Sequence, residues 1–118
     1  MPSFAALRAQ RHSAWLAQLR QQVRQIISTA DPLHSPPDQV LLFGSRARGT
    51  WDGLSDTDLL VIASNAATAE FWSDQLHGQL SNTDVLALTH QQWSAMPQSN
   101  SAIWRAIAAE AQPLLEQR

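Results

Sequence analysis

The chain has 118 residues, a net charge of −2 and a pI near 6.0, which suits one domain over residues 1–118 and argues against duplex nucleic acid as a partner. It contains no cysteine, which excludes disulfides, thiolate metal sites and a cysteine nucleophile, and no lysine, which excludes a Walker-type phosphate lysine and a lysyl covalent intermediate. No apolar run approaches a membrane span and no charged-then-apolar leader opens the chain, so we expect a cytoplasmic protein with no membrane partner.

The first predicted element is a long amphipathic helix from Phe4 to about Ser28. Its apolar residues recur in steps of three and four, which places them on one helix face, with arginines and glutamines on the other. We expect this face to pack against the core. It consists of Phe4, Leu7, Trp15, Leu19, Val23, Ile26 and Ile27. Asp31-Pro32 and the segment 35–38 then turn the chain into a loop.

Three predicted strands follow, at Val40–Phe43, Leu59–Ile62 and Thr83–Leu88. The first is a short apolar run bounded by turn residues, which is typical of a buried strand. A helix from about Ala66 to Leu80, capped by Ser64 or Asn65, connects the second strand to the third. Its predicted inward face carries Ala69, Trp72, Leu76 and Leu80.

The C-terminal part predicts two helices and an edge strand. One helix surrounds residues 91–95, and the other runs from a cap at Ser99 or Ser101 to about Ala111. We expect Ile103, Ile107 and Ala111 to face inward, and Pro113–Leu115 to form the edge strand. The order of elements predicts an α/β (α+β) domain, in which a small mixed sheet is covered by helices.

The polar segment after the first strand contains a candidate anion-binding turn. Gly44 allows the backbone to approach a ligand closely, and the amides of the next residues, with the Ser45 hydroxyl, can donate hydrogen bonds to an anion. Arg46 and Arg48 add two permanent cations that suit phosphate oxygens. The pattern predicts a phosphate-binding turn at residues 44–48.

Two aspartates lead into the second strand. In an extended chain Asp56 and Asp58 point to the same face, while Thr57 points away. Adjacent carboxylates repel each other, so holding both of them ionised favours a cation between them. Mg²⁺ suits such a pair because it takes few carboxylates and fills its other positions with water and substrate phosphates.

Asp84, at the start of the third strand, is the candidate third carboxylate. If that strand lies beside the Asp58 strand, Asp84 completes a cluster that can support two metal ions about 3.5–4 Å apart. Such a pair of ions serves in-line phosphoryl or nucleotidyl transfer. The competing interpretation is a tight glycine turn with two solvated aspartates as strand caps.

The run Leu42–Gly49, followed by Ser55–Val61, resembles the nucleotidyltransferase motif of the DNA polymerase beta superfamily. It is most similar to the minimal nucleotidyltransferases of bacteria and archaea, and the segment Trp104–Glu110 is similar to their C-terminal helix. The resemblance implies that Gly44 and Ser45 grip the triphosphate of ATP or another nucleoside triphosphate. It also implies catalytic and metal-binding roles that fall on Asp56, Asp58 and Asp84, with Asp84 helping to activate the acceptor hydroxyl.

Two departures from the family pattern matter. Thr57 stands where the family more often has an apolar residue, which is harmless if the side chain is half-exposed. Family members that act on polynucleotides or antibiotics also carry further domains that hold the acceptor. We therefore expect an acceptor that is small or is supplied by a partner protein.

The resemblance implies an Mg²⁺-dependent enzyme that moves a nucleoside monophosphate to a hydroxyl. Minimal members are similar to antitoxins that adenylylate a small helical ribonuclease toxin of the HEPN type, so we expect such a partner, in a homo- or hetero-oligomer. The alternative is a non-catalytic module that binds nucleotide or partner and regulates the partner by occlusion. A nucleic-acid-binding regulator is disfavoured by the acidic balance.

The remaining polar and aromatic residues give weaker signals. Trp51 either stacks on a base or covers the loop from below, and Asp52 is either an extra acid or part of a turn. Arg105 and Glu110 either form an ion pair on the helix surface or contact a partner. The four histidines show no metal-ligand spacing, and we expect them at the surface or the core edge: His12, His34, His77 and His90.

Overall fold

The computed structural model describes residues 3–30, 33–49 and 56–116. The helices are α1 (Phe4–Thr29), α2 (Ser45–Arg48), α3 (Ala66–Gln79), α4 (His90–Ala95) and α5 (Ala102–Glu110), with a 3-10 turn at Met96–Gln98. The strands are β1 (Gln39–Phe43), β2 (Thr57–Ala63), β3 (Thr83–Thr89) and β4 (Gln112–Glu116). The predicted helices and strands are confirmed, with bounds that differ by one or two residues. β1 and β2 are buried, whereas β3 lies at an edge of the sheet and is partly exposed.

Within the described residues the strands form one mixed sheet in the order β3-β2-β1-β4. β1 runs antiparallel to β2 and to β4, and β2 runs parallel to β3 through the crossover helix α3. The end of β1 and the starts of β2 and β3 therefore lie at the same end of the sheet. This topology brings the predicted phosphate-binding turn and the aspartates together.

One face of the sheet is covered by α1 and α3. Alternate strand residues point to this face, as the two-residue period of a strand requires. They pack with the inner faces of both helices into the larger core cluster, which includes Leu19, Val23, Val40, Leu42, Leu59, Val61, Trp72 and Leu76. Because the other face is also covered, the strands are apolar on both sides, and this explains their unbroken apolar runs.

The opposite face is covered by the 3-10 turn and α5. Leu41, Leu60 and Ile62 point to this side and pack against Met96 and Ile107. We refer to it as the α5 face of the sheet. It carries the strand residues that alternate with those of the larger cluster, so the side chains of Asp58 and Asp84 belong to it as well.

Two expectations about helix faces are wrong. Ile103 is 72% exposed, whereas Ile107 is 7% exposed, because α5 packs on the sheet cluster through its second half and its first turn lies outside. Phe4 is also exposed, since the buried residues of α1 begin at Leu19. In the described part of the chain, no helix is both long and apolar enough to cross a membrane. The predicted turn at Asp31-Pro32 lies outside the described residues.

Candidate active site

The turn after β1 is shaped by Gly44. Its backbone has φ +78° and ψ −157°, a conformation that strains residues with a side chain. A Cβ at this position would lie 2.5 Å from Oδ2 of Asp58, which is closer than a real side chain tolerates. Glycine is therefore required here for two independent reasons: the backbone conformation and the close approach of the Asp58 carboxylate.

The predicted phosphate-binding turn is a single helical turn, α2, that starts at Ser45. The Arg48 amide donates to the Gly44 carbonyl at 3.1 Å, and Gly49 ends the turn in a left-handed conformation. The first amides of a helix have no intrahelical acceptor, so they can donate to an anion. The structure thus places Gly44 directly beside Asp58, with Ser45 as the next residue of the turn.

The aspartates meet across two neighbouring strands. Asp58 pairs with Phe43 of β1 in antiparallel register and with Asp84 of β3 in parallel register. The predicted adjacency of Asp58 and Asp84 is confirmed. Asp56 precedes β2 and is exposed. In an extended chain its side chain points to the same side as that of Asp58.

Thr57 points to the opposite side, as predicted, but it is not half-exposed. Its side chain is 6% exposed and lies among Trp15, Leu19 and Thr83 on the side of α1. The Thr57 amide donates to the Asn82 carbonyl at 2.9 Å, which fixes the start of β2 against the turn before β3. A threonine in place of an apolar residue is therefore buried here, at the base of the two aspartates.

Electrostatics couple the three carboxylates. Burial raises the pKa of the Asp58 carboxyl above its usual value, and the negative charges of Asp84 and then Asp56 raise it further. The nearby cation of Arg48 acts in the opposite direction. Asp58 therefore lies among like charges, and a bound cation would favour its ionised form.

The donor set fits a hard divalent cation such as Mg²⁺, although the side chains do not form a complete cage. Among residues 3–30, 33–49 and 56–116, no three His, Asp or Glu side chains group closely enough to hold one metal ion. Mg²⁺ usually needs one or two carboxylates and takes its remaining ligands from water and phosphates. Asp58, with Asp56 or Asp84, meets that requirement, and a second ion held by all three aspartates stays a prediction.

The comparisons with known proteins agree with this geometry. The family model described as a nucleotidyltransferase domain matches residues 20–94, which include the turn and all three aspartates. The chain belongs to the nucleotidyltransferase domain family. The protein is therefore a transferase, and its general chemistry is nucleotidyl transfer.

A solved structure shares the fold of this nucleotidyltransferase domain. It is a protein from Sulfolobus solfataricus that has been assigned as a nucleotidyltransferase. The likeness has a TM-score of 0.56 at 16% sequence identity, and it covers 93% of this chain and 87% of that one. No curated protein matches the sequence. At this identity the structural likeness shows the fold alone.

The two arginines of the nucleotidyltransferase turn point to different neighbours. The Arg46 guanidinium lies 4.7 Å from the ring centroid of Trp15 in α1, which is a cation–π contact. Arg48 donates through Nη1 to both carboxylate oxygens of Glu110, at 3.1 and 3.0 Å. Both cations flank the turn as predicted, one on the α1 side and one on the α5 side.

Glu110 was missed as a site residue. The sequence suggested a pair with Arg105 or a partner contact, but Arg105 instead donates to the Ser99 carbonyl at 2.7 Å. Glu110 accepts from Arg48 and also from the Gly44 amide at 3.2 Å. No local spacing could reveal a contact that spans more than sixty residues. The resemblance of the Trp104–Glu110 segment to the family's C-terminal helix was the available signal.

The histidines are accounted for by local packing, as expected. His12 stacks on Trp15, His34 stacks on Phe71, His77 contacts the Thr83 carbonyl and His90 lies 3.1 Å from Asp38. Trp72 is buried, and its indole donates to the Ser35 carbonyl. Trp51 and Asp52 lie outside the described residues. Within the described residues, the histidines and Trp72 add no ligand to the aspartates.

The α5 face stays open beside the aspartates. On β3, Leu86 follows Asp84 on the same face and is 38% exposed. Farther along, Leu88, Met96 and Trp104 line an apolar groove of about 540 Å³. The site therefore combines an acidic end, at Asp58 and Asp84, with an apolar surface along β3.

Proposed function

We propose that this protein is a metal-dependent nucleotidyltransferase that moves a nucleoside monophosphate, AMP from ATP, to a hydroxyl on a partner protein. The observation that carries the proposal is the parallel register of Asp58 with Asp84, next to a turn whose Gly44 touches the Asp58 carboxylate. The reaction requires hydrogen-bond donors for the phosphates in direct contact with carboxylates that bind the metal.

The site residues have separate roles in the proposed reaction. Gly44 and Ser45 bind the triphosphate, and the arginines at 46 and 48 contribute positive charge beside it. Asp56 and Asp58 would hold Mg²⁺, with Asp84 as a further ligand. The bound metal supplies charge neutralisation at the phosphates and lowers the cost of the displacement. Asp84 orients the acceptor hydroxyl and accepts its proton.

The reaction balances without any further reactant. The acceptor oxygen forms a bond to the α-phosphorus, and the bond between that phosphorus and the oxygen bridging to the β-phosphate breaks. Pyrophosphate leaves with the bonding electron pair, and the hydroxyl proton passes to Asp84 and then to solvent. The positions of the turn and the carboxylates on one end of the sheet suit an in-line arrangement of attacking and leaving oxygens.

The biological setting follows from the resemblance to minimal nucleotidyltransferases. We infer that the acceptor is a small helical ribonuclease of the HEPN type and that the chain acts as its antitoxin in a cytoplasmic complex. The net charge of −2 supports a protein acceptor over a nucleic acid. Occlusion of the partner without catalysis is the alternative that the experiment must separate.

The test uses α-labelled ATP, Mg²⁺ and a HEPN-type ribonuclease as the candidate acceptor. We expect wild-type protein to label the ribonuclease and inhibit it. The double variant Asp56→Asn/Asp58→Asn should lose transfer by at least about 1,000-fold, since a catalytic metal is worth several kcal/mol. Asp74→Asn, on the exposed side of α3, is the matched control and should transfer normally.

The outcomes separate the two functions. Label transfer and inhibition that disappear together in the double variant support catalysis. If the double variant still inhibits the ribonuclease as well as wild type, and neither protein transfers label, the protein acts by occlusion and the catalytic proposal is wrong.

A further inference from the structure

The turn at residues 44–48 is held from outside by the C-terminal end of α5 and the start of β4. Glu110 accepts the Gly44 amide and the Arg48 guanidinium, and the Gln112 side-chain amide donates to the Ala47 carbonyl at 2.9 Å. We call the contacts of Glu110 and Gln112 with this turn the clasp. The clasp lies beyond residues 20–94, the range that the family model matches.

The clasp fixes the turn at both of its ends. Oε1 of Glu110 accepts from Gly44, the first residue, at 3.2 Å and from Arg48, the last, at 3.1 Å, while Oε2 accepts from Arg48 at 3.0 Å. Ordinary surface ion pairs contribute little to stability, but this one also closes a hydrogen bond to the backbone of the turn. We therefore expect the ion pair of Glu110 with Arg48 to fix the position of the turn rather than to add much to the stability of the fold.

The position of the turn matters because Gly44 touches Asp58. If Gly44 shifts, the distance between the carboxylates and the turn's hydrogen-bond donors changes. Small errors in such a distance reduce catalysis strongly. Glu110 also binds the Arg48 guanidinium, the cation that acts on the neighbouring Asp58 carboxylate. Released from Glu110, Arg48 could pair with Asp58 and compete with a metal ion for it.

We propose that Glu110 is a positioning residue of the nucleotidyltransferase site, which sets the register of the Gly44–Arg48 turn against Asp58 through its hydrogen bonds to Gly44 and Arg48. The inference rests on the proposed function for its catalytic consequence. Its structural part, the fixing of the Gly44 amide, does not depend on the acceptor or on any observed transfer.

The variants are Glu110→Ala, Glu110→Gln and the control Glu70→Ala on the exposed side of α3. Glu110→Ala should lower kcat by about 10- to 100-fold and change KM for ATP by less than about threefold, because misplacement is felt most in the transition state. Glutamine keeps the Oε1 acceptor that serves both Gly44 and Arg48. We therefore expect Glu110→Gln to retain activity within about threefold of wild type, as the control does.

A second readout is amide hydrogen exchange at Gly44, followed by NMR in protein without nucleotide. Exchange should accelerate by at least about tenfold in Glu110→Ala and stay near wild type in Glu110→Gln and Glu70→Ala. Thermal unfolding of all variants confirms that each is folded at the assay temperature.

The two proposals fail in different ways. Wild-type protein that transfers no label contradicts the proposed function, while the exchange experiment still tests the clasp. Unchanged Gly44 exchange in Glu110→Ala overturns the positioning role. So does a loss of activity in Glu110→Gln that equals the loss in Glu110→Ala, because a positioning hydrogen bond should survive in the glutamine variant.

Discussion

At the scale of single residues, Asp58 shows that a carboxyl group of the candidate site can lower the stability of the folded protein. Its pKa is raised by burial and by the charges of Asp84 and Asp56, so the folded state disfavours the ionised form. A carboxyl whose pKa is raised by folding stabilises the folded state while it is protonated, below an unfolded-state pKa of about 3.9. That stabilisation is lost as the pH rises through the higher folded-state pKa.

We therefore expect Asp58→Asn to raise the melting temperature by a few degrees at pH 7 without divalent metal, while it abolishes transfer. The gap to wild type should shrink as the pH falls from 7 toward 4, because the protonated fraction of Asp58 in the folded protein increases. Thermal unfolding between pH 4 and 8 in chelator measures this, with Asp74→Asn as the exposed control. A lower melting temperature for Asp58→Asn at pH 7, or a gap that does not depend on pH, would contradict the assignment.

Gly44 and Gly78 form a matched pair for a second prediction. Gly44→Ala must place a Cβ 2.5 Å from the Asp58 carboxylate at positive φ, whereas Gly78 lies in α3 with no atom within 4 Å of its Cβ position. We expect Gly44→Ala to reduce transfer by about 100-fold, because the turn must move away from Asp58. Gly78→Ala should keep full activity and gain up to about 1 kcal/mol of stability from helix propensity.

Steady-state kinetics and denaturant unfolding on both alanine variants provide the measurements. The comparison isolates the close approach at Asp58 from a general effect of replacing glycine. Equal activity of the two variants would show that the turn tolerates displacement and that contact between Gly44 and Asp58 has no catalytic value.

At the scale of elements, the predictions succeed where the signal is local. The apolar runs that form β1 and β2 are buried on both faces, so they are visible without knowledge of the fold. Likewise Asp58 and Asp84 each occupy the second position of their strand, so a parallel pairing in register brings them together. The adjacency of the two aspartates was thus predictable once the strands were recognised.

Contacts that depend on the packing of α5 were not predictable. The i, i+4 spacing places Ile103 and Ile107 on one side of the helix, but it does not say how much of the helix reaches the sheet. The clasp was not predictable for the same reason: Glu110 contacts Gly44 and Arg48 only because α5 and β4 are placed beside β1. Arg105 and Glu110 could not be assigned without that placement.

At the scale of the whole molecule, the two faces of the sheet differ in access. The side under α1 and α3 holds the larger core cluster, in which Leu59 and Val61 are fully buried. On the α5 face, Leu86 remains partly exposed two residues from Asp84, about 7 Å along the strand. We therefore expect a triphosphate to reach Asp58 and Asp84 from the α5 face.

A charge-reversal pair at Leu86 tests this direction of approach. Leu86→Glu adds negative charge beside the path of an anionic metal–triphosphate complex, and Leu86→Arg adds positive charge at the same place with a side chain of similar reach. We expect the Kd for Mg-ATP to be about 3- to 10-fold higher for the glutamate variant than for the arginine variant at low salt. Isothermal calorimetry at rising ionic strength should show the two values converging as the charges are screened.

Phe4→Glu and Phe4→Arg are the matched controls, because Phe4 is exposed at the start of α1, about 16 Å along the helix axis from Trp15, the residue that contacts Arg46. That pair should bind Mg-ATP equally, since screening removes the influence of a charge beyond about 8–10 Å. Equal affinities within the Leu86 pair, or the reverse order, would mean that the nucleotide does not approach along β3. The nucleotide would then have to reach Asp58 and Asp84 from the side of α2, past Arg46 and the face of α1.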